Sequence, residues 1–164
     1  MNKNIENLVI RNANIKNRNF AGRKDEYNAE GMRNFSVAIN DEELCNKLSE
    51  DGWNIKVKEY DDGEVVGYLK VAVSYMRKPP RIVQVTTRNG KNKLTNITEE
   101  TVGDIDNLDI SDVKLEIEPR YWSKGNKEGI KAYLKTMYYN LVEDVFAAEY
   151  YDDEDFGEPS ELQF

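Results

Sequence analysis

Residues 112–141 read DVKLEIEPRYWSKGNKEGIKAYLKTMYYNL, and this stretch decides the fold. Apolar residues alternate with polar ones on both sides of a short polar loop, and a period of two is typical of strands with one buried face. Gly125-Asn126, inside the loop, suits a turn. We therefore predict two long strands joined by a tight connection. Their inward-facing residues are Val113, Leu115 and Ile117 before the loop and Ile130, Ala132, Leu134 and Thr136 after it.

Strand patterns also fill the chain before this stretch. Asn89-Gly90 is the strongest short hairpin signal, because both residues tolerate the positive φ angles of a two-residue turn. Pro79-Pro80 ends the strand that precedes this hairpin, since neither proline can donate to a sheet. The predicted strands cover residues 7–15, 33–39, 53–60, 67–76, 81–88 and 91–97.

One short helix is predicted between the second and third of these strands. Asn40 or Asp41 supplies its N-cap, and Gly52 closes it. Cys45 is interpreted as a small core residue, because the chain has no His to activate its thiol. The apolar stripe of the helix is Leu44, Cys45 and Leu48.

The acidic segment 98–111, TEETVGDIDNLDIS, does not match a calcium-binding loop. Counted from Asp104, that loop requires an oxygen ligand at its fifth position, Gly at its sixth and Glu at its twelfth. The sequence has Leu108, Asp109 and Leu115 at these positions. We predict instead a capped turn that packs into the core. The residues expected to pack are Val102, Ile105 and Leu108.

The negative charge of the chain is concentrated at its C-terminal end. The chain has 31 acidic and 23 basic residues, a net charge of −8. Residues 149–164, EYYDDEDFGEPSELQF, contain seven of the acids and no base, so residues 1–148 hold 24 acids against 23 bases. A segment this charged buries too little apolar surface to offset the entropy of ordering. We therefore predict a folded domain over residues 1–148 and a disordered acidic tail over residues 149–164.

The composition excludes several kinds of site. The chain has no His and a single Cys, so it cannot form a Ser-His-Asp triad or a zinc site of His and Cys. One Cys forms no intrachain disulfide, which suits a reducing cytoplasm. The N-terminal residues lack the apolar core of a signal peptide, and no stretch approaches the ~20 apolar residues that span a bilayer. We expect a cytoplasmic protein with no metal, no cofactor and no membrane contact.

Two segments combine basic with aromatic residues, the mixture that binds a single nucleic-acid strand. The first basic segment is residues 16–32, and the second basic segment, residues 120–133, includes the turn of the predicted hairpin. Both also have a purely structural interpretation, because aromatic residues are common in strands and can cover a sheet edge. The candidates for base stacking are Phe20, Tyr27, Tyr121, Trp122 and Tyr133. The candidates for phosphate contact are Arg18, Arg23, Lys24, Arg120, Lys124, Lys127 and Lys131.

The order of these features matches an OB-fold. In that five-stranded barrel, nucleic acid lies between the loop that joins strands one and two and the loop that joins strands four and five. Here the first basic segment follows the first strand, and the second joins the last two. We predict a mainly β, OB-fold-like five-stranded barrel with an extra hairpin, one short helix and a disordered acidic C-terminal tail.

With its two basic segments and a tail that ends on Phe164, the chain resembles the phage-type single-stranded DNA-binding proteins. The resemblance implies sequence-independent binding of exposed single-stranded DNA in the host cytoplasm during replication or recombination, without enzymatic activity. Binding of RNA and formation of a homodimer stay open. The resemblance also implies that the tail recruits replication or recombination proteins, although this tail lacks the Pro-Phe terminus of the bacterial form. The tail residues expected to bind partners are Asp152, Asp153, Glu154, Asp155, Leu162 and Phe164.

Two other classes of function stay open. A metal-dependent nuclease can work with carboxylates alone, and a DNA mimic or assembly protein would present acidic residues over a folded surface. The tail has an alternative of its own, a solubilising role without a partner. The carboxylates available to a nuclease are Asp61, Asp62, Asp104 and Asp106.

Overall fold

The structure, a computed structural model, describes residues 4–150. The predicted partner-binding residues of the tail lie outside this range, so the division into a domain and an acidic tail stays a prediction. Those residues are Asp152, Asp153, Glu154, Asp155, Leu162 and Phe164.

Nine strands and one α-helix make up most of the described chain. Two 3₁₀ helices, Val102–Asn107 and Ala147–Glu149, follow the seventh and ninth strands. The elements are β1 (Leu8–Ile10), β2 (Asn14–Asn19), β3 (Arg33–Ile39), α1 (Glu42–Asp51), β4 (Ile55–Glu59), β5 (Val65–Val73), β6 (Arg81–Arg88), β7 (Lys91–Ile97), β8 (Ile110–Lys124) and β9 (Lys127–Leu141).

The strands form a single sheet organised around β9. One edge of β9 pairs antiparallel with β8, and the other edge pairs in parallel with β5 and with β6. β5 continues the sheet to β3 and β4, so the main path runs β1-β8-β9-β5-β3-β2 with the β6–β7 hairpin attached to β9. The predicted mainly β, OB-fold-like architecture with an extra hairpin and one short helix is confirmed. The sheet has nine strands rather than five, and within residues 4–150 the pairing does not return from β2 to β1.

The core joins the inward-facing side chains of the strands with one face of α1. The helix begins as predicted, because the Asp41 carboxylate accepts a hydrogen bond of 3.2 Å from the Leu44 amide, and it ends at Gly52 with a φ of 107°. Phe20 and Phe35 are fully buried and stack with their ring centroids 5.3 Å apart. Burial raises the pKa of Tyr139 to about 12, and its hydroxyl donates to Gln84 Oε1 over 3.0 Å.

The first strand differs from its prediction. Residues 7–15 form parts of two strands, because the backbone bends at Asn12, whose φ is 55°. Asn is one of the few residues that adopt this left-handed conformation at low cost. The bend lets β1 pair with β8 while β2 pairs with β3, so the two halves join different parts of the sheet.

The acidic segment forms the predicted packed turn, but no side chain caps its start, because Thr101 makes no capping hydrogen bond to the 3₁₀ helix. Val102 and Ile105 of the 3₁₀ helix are buried, and Leu108 packs against the core. Along residues 4–150, no helix is long and apolar enough to cross a membrane.

Candidate nucleic-acid interface

The outward face of the β8–β9 hairpin carries most of the second basic segment. Leu115, Ile117 and Ile130 point into the core, so the alternate residues point outward. In the register of the hairpin, Arg120 lies opposite Lys131 and Lys124 lies opposite Lys127. Like charges directly opposite each other destabilise a sheet. Two such pairs on one face make this hairpin a surface at which an anion relieves repulsion.

The indole of Trp122 lies over Gly129, its partner across the hairpin. A methyl group at position 129 would lie 2.9 Å from Cζ2 of Trp122, closer than van der Waals contact allows. Because Gly129 has no side chain, the indole lies directly against the backbone of the sheet. We call this position the seat of the indole. Trp122 is 45% exposed, so the seated ring still offers surface on which a nucleobase can stack.

Tyr133, four residues after Gly129 on the outward face of β9, is covered by cations. The Arg120 guanidinium lies 3.8 Å from the centroid of its ring, and the Lys131 ammonium lies 5.2 Å away. Cation–π attraction at these distances holds both basic groups on the outward face. Tyr133 thus orients two cations on the outward face, while Trp122 supplies the open aromatic surface.

The same outward face continues across β5 and β3. Ala72 of β5 pairs with Tyr133, and Asn34 and Ser36 of β3 pair with Ala72 and Lys70. Two cavities follow this surface, one of about 430 Å³ that reaches Trp122 and Lys131, and one of about 530 Å³ that reaches Arg23. We call the combined surface the groove. The lining residues that both cavities share are Tyr27, Asn28, Asn34 and Lys70.

The first basic segment forms the opposite wall of the groove. Tyr27 stands 88% exposed at its rim. The amide side chain of Asn28 shapes the loop behind it, because its nitrogen donates to the carbonyl groups of Arg23 and Met32 over 2.9 and 2.8 Å. The side chain of Asn34 on β3 donates to Asn28 Oδ1 over 2.9 Å, which ties the loop to the sheet. The segment is therefore a structured wall with one aromatic ring left open to solvent.

The 3₁₀ helix Val102–Asn107 braces this wall from behind. Asp106 accepts hydrogen bonds from the backbone amides of Phe20 and Ala21 over 2.7 and 3.1 Å, and its carboxylate lies 3.6 Å from the Arg23 guanidinium. Arg18 of the first basic segment in turn donates hydrogen bonds to the carbonyl groups of Ile105 and Leu108 over 2.7 and 2.9 Å. This reciprocal contact fixes the position at which the first basic segment leaves the sheet.

No cluster of three or more Cys, Asp or Glu side chains within residues 4–150 has the arrangement of a metal site. Asp106, one of the carboxylates considered for a nuclease, is 5% exposed and bonded to backbone amides.

Residues 1–159 of the sequence match the family described as "Putative phage ssDNA-binding domain". The chain belongs to this family. No curated protein matches the sequence. Among solved structures, the fold is similar to gp2.5, a single-stranded DNA binding protein encoded by bacteriophage T7, with 11% sequence identity, a TM-score of 0.36, and 91% of this chain and 92% of that chain covered.

Within this phage ssDNA-binding domain, most of the predicted site residues lie on one surface. The residues placed in or beside the groove, with exposed or half-buried side chains, are Arg23, Tyr27, Arg120, Trp122, Lys124, Lys127, Lys131 and Tyr133. Lys24 is exposed next to Arg23 in the chain, but it lines neither cavity.

Three predicted site residues are engaged in contacts within the domain. Phe20 is fully buried against Phe35, so its ring is not available to a base. Arg18 lines the cavity of about 530 Å³, but it is half-buried and its guanidinium is used in the brace. Tyr121 points to the opposite face of the hairpin, where its hydroxyl accepts a hydrogen bond of 3.0 Å from the Ile5 amide. We leave all three out of the binding surface proposed below.

The outward face, in and beyond the groove, also contains residues that the sequence analysis did not select. Lys56 of β4 lies opposite Tyr68 of β5 on the outward face, and Lys16 of β2 lies opposite Ser36. The hydroxyl groups of Tyr60 and Tyr68 are hydrogen-bonded to each other, which raises the pKa of Tyr68. The sequence contained one indication of them, because they occupy alternate positions of their strands that point outward. The additional basic and aromatic residues of this face are Lys16, Lys56, Lys58, Tyr60, Tyr68 and Lys70.

Proposed function

We propose that this domain binds single-stranded DNA in the groove without sequence preference. The observation that carries the proposal is the arrangement of two open aromatic rings, Trp122 and Tyr27, on either side of a cavity bordered by Lys70 and Lys131. A nucleobase has two flat faces and can stack on either ring. The phosphates of the DNA backbone are negatively charged and require the cations.

Binding uses two contributions that do not depend on sequence. Base–aromatic stacking contributes about 1–3 kcal/mol per base and works for every base, because each has a π-face. Lys and Arg side chains track the phosphates and release counterions, so the affinity falls as salt rises. A duplex hides its base faces inside the stack and cannot use the rings. The groove therefore favours single strands over duplexes.

The biological role that we propose is protection of exposed strands during replication or recombination in the cytoplasm of a phage-infected host. The acidic tail would recruit partner proteins of those pathways through the carboxylates from Asp152 to Asp155 and the apolar residues Leu162 and Phe164. The proposal includes no catalytic step. Single-stranded RNA offers the same stacking faces and phosphates, so it is the natural competitor to test.

The proposed function is tested by titrating labelled oligonucleotides of the same sequence in single-stranded and duplex form. We expect tighter binding of the single strand at every salt concentration, with quenching of tryptophan fluorescence. Equal affinity for the two forms would contradict the proposal.

A built-in control separates the two tryptophans. Trp53 is 3% exposed in the core, whereas Trp122 is in the groove. In the variant Trp122→Phe, the remaining signal comes from Trp53 alone, so binding detected by anisotropy should no longer quench the fluorescence. Quenching that persists in this variant would place the DNA away from Trp122.

A further inference from the structure

A second basic-aromatic surface lies at the other end of the outward face of the β8–β9 hairpin. Lys114 lies opposite Tyr138 in the hairpin, and the Arg81 guanidinium from β6 lies 5.8 Å from the centroid of the Tyr138 ring. Arg11, in the bend after β1, lines two adjoining cavities of about 340 and 310 Å³ together with Lys114 and Tyr138. The cations Arg11, Arg81 and Lys114 are exposed. We call these four residues the second surface.

The second surface repeats the pairing seen in the groove. Arg81 over Tyr138 corresponds to Arg120 over Tyr133, with an aromatic ring holding a guanidinium on the outward face. Tyr138 is only half-buried, but burial already raises the pKa of its hydroxyl. Because Arg81 occupies a ring face and open rings are needed for stacking, this surface suits phosphate groups rather than bases.

The acidic residues next to the second surface do not cancel its positive charge. Glu116 accepts hydrogen bonds from Asn7 Nδ2 over 3.0 Å and from the Thr136 hydroxyl over 3.3 Å, and the Lys135 ammonium lies 3.7 Å away. The hydrogen bond from Asn7 is the main reason that the pKa of Glu116 is lowered. Lys135 offsets the charge of Glu116, so three cations face one further carboxylate, Asp112, which lines one of the cavities.

The two surfaces lie along one strand. Lys114 and Trp122 are both outward residues of β8, separated by eight positions, or about 26 Å of strand at roughly 3.3 Å per residue. A nucleic-acid strand that leaves the groove beside Tyr133 can follow the same face of the hairpin to Tyr138. The two ends of the path lie on one continuous face, because the one irregularity between them, at Glu116 and Ile117, leaves an extra residue in β9. This shift places Thr136, predicted to point inward, on the outward face beside Glu116.

We propose that the second surface binds the phosphate backbone of the same DNA strand that occupies the groove, and that it does so only for strands long enough to extend beyond the groove. This inference rests on the proposed function, because the groove supplies the primary site. It adds a second contact with a different chemistry, phosphate without base stacking, and makes the affinity depend on strand length in two stages.

The test uses the full-length protein and oligothymidines of increasing length, from about 6 to about 30 nucleotides, since one OB-type groove covers roughly 4–16. The variant Arg11→Ser with Lys114→Thr removes two exposed cations of the second surface. The control, Lys47→Ser with Lys78→Ser, removes the same charge at exposed positions that line neither surface. Thermal unfolding confirms that both variants are folded.

We expect the second-surface variant to bind short oligothymidines as tightly as the control and to lose the additional affinity that longer ones show. For long strands its log–log salt slope should fall by about 1.4, since each phosphate contact on a single strand contributes roughly 0.7. An unchanged length dependence would overturn the second contact. An equal loss at every length would also overturn it, because it would place these cations in the primary site.

Two further outcomes are distinguishable. Wild-type protein that binds no single strand of any length would overturn the proposed function itself. In the second outcome, the variant keeps its length dependence but no longer captures a second labelled strand beside the first. This result would assign the second surface to another DNA molecule and would overturn the single-strand path.

Discussion

At the scale of single residues, Trp122 and Gly129 act as one unit. The indole of Trp122 can pack on Gly129 only because this residue has no side chain. A change at either position therefore alters the same stacking surface. Trp122→Ala should weaken binding of single-stranded DNA by roughly 1–3 kcal/mol. Gly129→Ala should cost a part of that amount, because the new methyl group lifts the indole off its seat. Anisotropy of a labelled oligonucleotide measures both changes.

The double variant provides the control for this prediction. If Gly129 acts through Trp122, then Gly129→Ala should have no further effect in a Trp122→Ala background, and the two free-energy changes should fail to add. Equal effects of Gly129→Ala in both backgrounds would mean that the glycine contributes through the backbone of the hairpin instead.

Residue-level roles were only partly predictable, as Phe20 and Tyr27 illustrate. Both occur in the polar first basic segment and are equally plausible stackers in the sequence. The structure continues β2 to Asn19, so Phe20 turns inward at the end of a strand, whereas Tyr27 follows in the loop. The sequence does not distinguish the two residues, because the strand end that turns Phe20 inward depends on pairing with β3.

At the scale of elements, the brace between the 3₁₀ helix Val102–Asn107 and the first basic segment is a separate functional part. Asp106→Asn removes the charge that assists two backbone hydrogen bonds and attracts Arg23. Hydrogen bonds to charged groups contribute about 1.5–3 kcal/mol, so we expect a lower melting temperature together with weaker binding of single-stranded DNA. The quenching of Trp122 at saturation should stay the same, because the hairpin is untouched.

Asp104→Asn is the matched control for the brace. Asp104 lies in the same 3₁₀ helix and the substitution changes the same charge, but its side chain is exposed. This variant should bind DNA like the wild type. A folded Asp106→Asn protein with unchanged affinity would show that the first basic segment keeps its position without the carboxylate.

The turn of the β8–β9 hairpin makes a prediction about salt. Lys124 and Lys127 face each other across the turn, so replacing both with Ala removes two phosphate contacts and one repulsive pair. The log–log salt slope should fall by about 1.4, while the melting temperature should not decrease. The Lys47→Ser, Lys78→Ser protein serves as the charge control. A slope equal to that of this control would mean that the turn lies outside the DNA path.

The strands of the hairpin could be predicted from the sequence, whereas the full set of basic residues on the outward face could not. The alternation of residues 112–141 predicts the hairpin, and its outward residues carry the second basic segment. Lys16, Lys56 and Lys70, in contrast, are single outward lysines in three strands that are distant in the chain. They share a surface only because β5 lies between β3 and β4, and such non-local pairing leaves no local pattern.

At the scale of the whole molecule, the separation of charge is the main feature. The groove is basic, while the chain as a whole has a net charge of −8 because of residues after the described domain. Removal of residues 149–164 takes away seven acidic residues and brings the net charge to −1. Since a tethered acidic segment competes with DNA at a high effective concentration, truncation should tighten binding of single-stranded DNA. The gain should be largest at low salt, where screening is weakest. Affinity that is independent of the tail at low salt would contradict this competition.

Deletion of Phe164 alone separates competition from recruitment. The shortened chain keeps every acidic side chain and a terminal carboxylate, so its affinity for DNA should barely change. Binding of partner proteins should fall sharply, because a buried aromatic anchor carries much of the energy of such contacts. Pull-downs of host replication proteins with intact and Phe164-deleted protein measure this difference, and the truncated protein is the negative control. A purely solubilising tail gives another result, in which all three proteins retain the same partners and only the truncated one aggregates.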